Sequence, residues 1–192
     1  MRVGLSMVMG AILLASPAAA ADWTLLKFPD QGFGIESPVP LVKGSGVYRG
    51  AVAGSIPTLT YSGELDNIRY KVTIIDISKR PAEALNLFEE MEALTELQGK
   101  VAGNDSMGIE PGRQRQYGRE LLIQAKDGSL RRIGLMYSKG KIYQAEATVL
   151  PGGDKESFYP ERFADSIIFQ LDPKLREKRC GDPDNFKTPE GK

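Results

Sequence analysis

The chain has 192 residues, with 25 Lys plus Arg balanced by 25 Asp plus Glu, so its overall charge gives no general attraction to nucleic acid or anionic lipid. It contains no histidine, which removes imidazole general bases, Ser/His and Cys/His nucleophile systems and imidazole metal ligation. Cys180 is the only cysteine, so neither an intrachain disulfide nor a cysteine zinc site can form.

The N-terminus reads as a secretory leader over residues 1–20. Arg2 supplies a charged start, Gly4 to Leu14 form a short apolar run, and Ser16-Pro17-Ala18-Ala19-Ala20 ends it with small residues suited to cleavage after Ala20. The run falls short of the ~20 apolar residues that a spanning helix needs, and no cysteine follows it for lipid attachment. A single arginine favours the general secretory route and a periplasmic or extracellular destination, with no membrane span after cleavage. Residues 21–173 then read as one domain, and 174–192 as a polar, weakly ordered tail.

Period-two patterns dominate the mature chain. Trp23 to Phe28 and Phe33 to Glu36 flank Pro29-Asp30-Gln31-Gly32 as a short hairpin, while Ser37 to Pro57 is rich in Gly, Pro and Ser and reads as a long loop. Thr58 to Glu64 and Ile68 to Ile77 flank Asp66-Asn67, and a two-residue turn there sets Tyr61 opposite Val72 and Leu59 opposite Ile74. From Pro81 to Gln98 the period becomes helical: Ala84, Leu87, Phe88, Met91, Leu94 and Leu97 line one side, and Glu83, Glu89, Glu90, Glu92 and Glu96 form a solvated face.

Three further strands follow, Tyr117 to Ala125, Leu130 to Tyr137 and Ile142 to Val149. Three-residue loops with left-handed glycine would align Leu121, Leu135 and Ala145 in one row and Ile123, Ile133 and Ala147 in the next, with the small alanines making room for Phe88 and Met91. Tyr137 and Tyr143 would form a cross-strand pair, and the opposite face would carry Glu120, Leu122, Gln124, Arg132, Met136, Gln144, Glu146 and Thr148, in part open to a second helix. A helix about Lys155 to Ser166 and a last strand Ile167 to Leu171 complete the pattern. The fold class expected is α+β: a single antiparallel sheet of at least five strands, one long helix on one face and a short C-terminal helix.

Tyr117-Gly118-Arg119-Glu120, the Gly140-Lys141-Ile142-Tyr143-Gln144-Ala145 strand start and Arg162-Phe163-Ala164-Asp165-Ser166-Ile167 together resemble small secreted bacterial domains of the PsbP and Mog1-like group, over roughly residues 22–171. The resemblance implies an antiparallel sheet between helices and an accessory binding role. It carries no functional residue across.

Asp182, Asp184 and Asn185 lack the spacing of a calcium loop, and Asp154, Lys155 and Glu156 read as a helix start. Arg113, Arg115, Arg119, Arg131 and Arg132 could gather as an anion site or serve as ordinary cross-strand partners. Ser37, Ser45 and Ser55 lie near Lys43 without the spacing of a Ser/Lys nucleophile, and a carboxylate pair such as Glu120 and Glu146 would stand two strands apart with Gln144 and Met136 between them. No catalytic, cofactor-binding or metal residue is therefore expected. The reading favoured is a non-enzymatic accessory or interaction domain whose partner is another extracytoplasmic protein, reached by a disulfide if the basic setting of Cys180 activates it. A small-ligand carrier and a histidine-free hydrolase are the alternatives.

Overall fold

A computed structural model describes residues 22–106 and 117–169. β1 (Thr24–Phe28) and β2 (Phe33–Ser37) form a two-stranded antiparallel sheet, closed by the turn Pro29–Gln31 and by Gly32 at a left-handed φ of 77°. Seven strands build the main sheet: β3 (Val42–Gly50), β4 (Gly54–Leu65), β5 (Ile68–Asp76), β6 (Gly99–Ser106), β7 (Tyr117–Ala125), β8 (Leu130–Ser138) and β9 (Lys141–Val149). Their order is β3-β4-β5-β9-β8-β7-β6, with every neighbour antiparallel. Helix α1 (Ala84–Glu96) follows a single turn at Pro81–Glu83, and α2 (Tyr159–Asp165) follows β9. The chain is α+β. The opening hairpin lies outside the main sheet.

Each face of the sheet is packed over part of its area. Tyr70, Val72, Ala145, Ala147 and Val149 point to one side, where Phe33 and Ile35 of β2 and Phe163 of α2 cover them. On the other side α1 buries Ala84, Leu87, Phe88 and Met91, at helical spacing, against Ile75, Leu135 and Ile142. Within residues 37–57, expected as a loop, Ser37 ends β2, Val42–Gly50 form β3 and β4 starts at Gly54. The hairpin end of the β3–β4 pair runs past the end of β5 and brings Ile56, Tyr48 and Ala53 against α1.

The β4–β5 turn is as expected: Asp66 and Asn67 have φ of 51° and 60°, and Tyr61 stands opposite Val72 and Leu59 opposite Ile74. Across β7–β8 the loop is a three-residue one with left-handed Gly128, but it turns on Lys126-Asp127-Gly128, so Leu121 faces Ile133 rather than Leu135. Between β8 and β9 the turn has two residues, Lys139 and Gly140, both left-handed, which sets Leu135 opposite Gln144 and Tyr137 opposite Ile142. That one-residue difference moves every β9 side chain to the other face. Ala145 and Ala147 thus lie under Tyr70 and Phe163, away from α1, and Tyr137 and Tyr143 are not a pair. The second helix begins at Tyr159 rather than Lys155, and Ile168 makes only a single bridge to Gly34 where a strand was expected.

Candidate functional site

The corrected register separates the charged residues that sequence had left as candidates for one site. Arg131 and Glu146 lie on the α1 side, where Arg131 donates two hydrogen bonds of 2.9 and 2.7 Å to Glu146 Oε1 and the carboxylate also accepts from Gln144 and Thr148. Arg132 and Glu120 lie on the α2 side, paired with each other, and Arg132 also reaches Glu161 at 3.0 Å. Glu120 and Glu146 therefore face opposite ways, each neutralised by its own arginine. That arrangement gives neither a shared cleft nor a free base. Arg119 turns to Glu92 and Ser106, so the described arginines do not assemble an anion site. Arg113 and Arg115 lie outside the described residues, as do Cys180, Asp182, Asp184 and Asn185.

A cleft of about 360 Å³ opens beside α2, lined by Leu25, Glu36, Arg162, Asp165, Ser166 and Ile168. Burial pushes the Asp165 carboxyl up to about 6, helped by the charges of Glu120 and Glu161 and opposed by Arg132. A carboxyl in that range can move protons near neutrality. Its neighbours are engaged elsewhere: Arg162 clamps Glu36 Oε2 through Nε at 2.9 Å, and Ser166 Oγ accepts from Glu36 N–H and donates to the Phe163 carbonyl. The cleft holds no activated nucleophile. Asp154 Oδ1 accepts the Glu156 N–H at 3.0 Å and so forms a turn. Among the described residues no group of three acidic or cysteine side chains is placed to hold a metal, and no helix is long and apolar enough to cross a membrane.

The serines divide similarly. Ser37 is buried and donates to the Val39 carbonyl, while Ser45 and Lys43 lie two apart on the same exposed side of β3. Both side chains are exposed and no hydrogen bond joins them, so the pair makes no activated nucleophile.

What sequence reading missed is β3 itself. It forms one edge of the seven-stranded sheet and pairs with β4 over nine residues without a break in register. Its side chains are mostly exposed, Val42 at 71% and Val47 at 54% among them. The opposite edge is blunted, because β6 shifts register between Val101 and Gly103. Among the described residues no strand occupies the outer side of β3, and neither Lys43 nor Arg49 is in an ion pair. The alternation Lys43, Ser45, Val47, Arg49 was the available signal, masked by Gly44, Gly46 and Gly50.

Glu90 of α1 holds β3 in place from one end. Its carboxylate accepts from Tyr48 Oη at 2.7 Å, from the Ala51 N–H and from the Val52 N–H at 3.1 Å, and Arg80 donates to the Ala53 carbonyl. Glu92 and Glu96 are also engaged, with Asn104. The acidic side of α1 is thus partly a set of clasps.

No family model matches the sequence, and no curated protein matches it. A crystal structure of PA94, a protein of unknown function from Pseudomonas aeruginosa, is similar at a TM-score of 0.33 and 12% identity, over 67% of this chain and 83% of that one.

Proposed function

We propose that the chain is an exported, non-enzymatic accessory module that takes an extended segment of another extracytoplasmic protein onto the outer edge of β3. The observation that carries this reading is the open, unbroken nine-residue edge. Natural sheets usually blunt such edges with bulges, covering elements, proline or charge; β6 is bulged, whereas β3 is unbroken and uncovered among the described residues and carries only the charges of Lys43 and Arg49. Strand addition takes affinity from main-chain hydrogen bonds and selectivity from alternate side chains. The leader-like composition of residues 1–20 supports an extracytoplasmic setting for this role, and the PsbP-like resemblance is in keeping with an accessory one. Engagement of Glu36, Glu120 and Glu146 by arginines weighs against acid/base hydrolysis.

A photo-crosslinking residue placed at Ser45, compared with one at Gln124 on the far side of the sheet, tests the reading in the native envelope. The adduct should form at position 45 and disappear with Val47→Pro, which removes one β3 N–H and stiffens the strand. Equal adducts at both positions, or an adduct indifferent to Val47→Pro, would overturn it.

A further inference from the structure

The reading of β3 as a docking edge leaves open what docks, and the side chains on that edge narrow the answer. Register with β4 puts Lys43, Ser45, Val47 and Arg49 on one face, opposite Tyr61, Leu59, Pro57 and Ser55. Val42, Gly44, Gly46, Tyr48 and Gly50 point to the other. β3 contains two cations and no acidic residue, and both cations lack an ionic partner among the described residues. Resting on the strand-addition reading, we propose that β3 accepts an extended acidic segment of another protein, with carboxylates six residues apart.

The spacing follows from pairing. In an antiparallel added strand, a carboxylate opposite Arg49 is followed two residues on by an apolar residue opposite Val47, then by a small one opposite Ser45, then by a carboxylate opposite Lys43. On the other face, Gly44 and Gly46 carry no Cβ between Val42 and Tyr48, and threonines of β4 take up the space. Thr60 and Thr58 lean over these glycines, within 2.8 and 2.9 Å of where a Cβ would stand. Side chains opposite the glycines can reach across to these threonines. A second copy of this chain is disfavoured by the same charges, since antiparallel self-pairing about Gly46 sets Lys43 against Arg49.

The probe is a fluorescein-labelled peptide, Thr-Glu-Thr-Ile-Tyr-Ser-Tyr-Glu-Val, with two control versions in which both Glu are replaced by Gln or by Lys. Binding to the mature full-length protein is read by anisotropy, and its location by hydrogen exchange at the β3 amides. The acidic peptide should slow exchange in β3 and bind about tenfold more tightly than the Gln version, which corresponds to roughly 1.4 kcal/mol shared by two exposed ion pairs. The double variant Lys43→Glu, Arg49→Glu should reverse the order, preferring the Lys peptide. Salt should weaken the acidic complex and leave the Gln complex nearly unchanged.

Two failures are distinguishable. If all three peptides protect β3 equally and the charge-reversal variant makes no difference, the acidic specificity is wrong while strand addition stands. If no peptide protects β3, or protection persists in Val47→Pro with its far-ultraviolet dichroism intact, strand addition itself falls and the acidic partner with it. A concentration-dependent dimer that protects the same amides without peptide would instead assign the edge to a second copy.

Discussion

Asp165 shows how one carboxyl can tune the stability of the cleft beside α2. Its folded-state value of about 6 lies above the ordinary range near 4. The folded protein therefore binds this proton more tightly than the unfolded chain does. The stabilisation is fully present below about pH 4 and is lost as pH rises through 6. Asp165→Asn should remove that dependence and stabilise the protein above pH 6, by less than about 1 kcal/mol because the residue keeps solvent contact. Urea midpoints of wild type and variant at about pH 4.5 and 7.5 check this, and parallel behaviour at the two values would show that Asp165 does not titrate in between. Glu90 behaves oppositely. The Tyr48 hydroxyl, with the Ala51 and Val52 amides, holds its carboxyl below the usual range, so the clasp is complete above that range and fails as pH falls through the lowered value. Gly50 is bound to this geometry, because a Cβ there would run into Glu90 Oε2 and within 2.6 Å of the Tyr48 ring. Glu90→Gln and Gly50→Ala should both speed amide exchange at Ala51 and Val52 while leaving exchange in β8 and β9 unchanged. Slow exchange at the hairpin tip in both variants would show that the clasp does not hold it.

Among the elements, α1 offers the sharpest contrast between a packed and an unpacked face. Phe88 is 5% exposed against Leu135 and Ile142, whereas Leu85, one turn earlier, is 49% exposed. Phe88→Ala should cost about 3 to 5 kcal/mol and Leu85→Ala under about 1. Glu92→Ala should lie between, near 1 kcal/mol, since its hydrogen bond to Asn104 and its pairing with Arg119 are partly shielded. Chemical denaturation of the three variants decides it, and equal losses at Phe88 and Leu85 would place α1 on the wrong face. This helix was legible through Met91, where Ala84, Leu87, Phe88 and Met91 keep one period; in the last turn Thr95 is buried, and Leu94 and Leu97, expected on the same side, are exposed. The β4–β5 register was legible because Asp66-Asn67 fits only one turn type. The β8–β9 register was not, because matching apolar to apolar assumes a uniformly apolar face. The face carrying Leu135 is apolar beneath α1 and polar where Gln144, Glu146 and Thr148 meet Arg131, so Leu135 opposite Gln144 satisfies both halves. β3 escaped notice because its glycines serve close approach by Thr58 and Thr60, not looping. The candidate site was read less well than the fold. Sequence could supply Lys43, Ser45 and Arg49 by name, but only the sheet order places them on a free edge.

At the scale of the whole molecule, the two ends of the described fold are tied together on the side of the sheet away from α1. Gly34 and Ile168 exchange backbone hydrogen bonds of 2.8 and 2.9 Å, Ser166 caps the Glu36 amide, and Arg162 reaches Glu36. Trp23 completes this lock: it sits edge-on to Tyr70 and Tyr159, with ring centroids 6.3 and 5.5 Å away, beneath the Arg162 guanidinium at 4.5 Å. Removal of the proposed leader over residues 1–20 would have to stop short of Trp23 for the lock to form. Cleavage after Ala20 would leave Ala21 and Asp22 ahead of it, enough chain to keep the indole seated. The exported protein should accordingly have an intact mass lacking residues 1–20. A chain that starts at Thr24 should be less stable than one that starts at Ala21, by about 2 kcal/mol for a half-buried Trp and its cation–π contact. Mass spectrometry of protein released from the envelope, with denaturation of the two purified forms, tests both statements. A mass that keeps the leader would end the argument for cleavage, and equal stability of the two forms would show that Trp23 is not part of the lock.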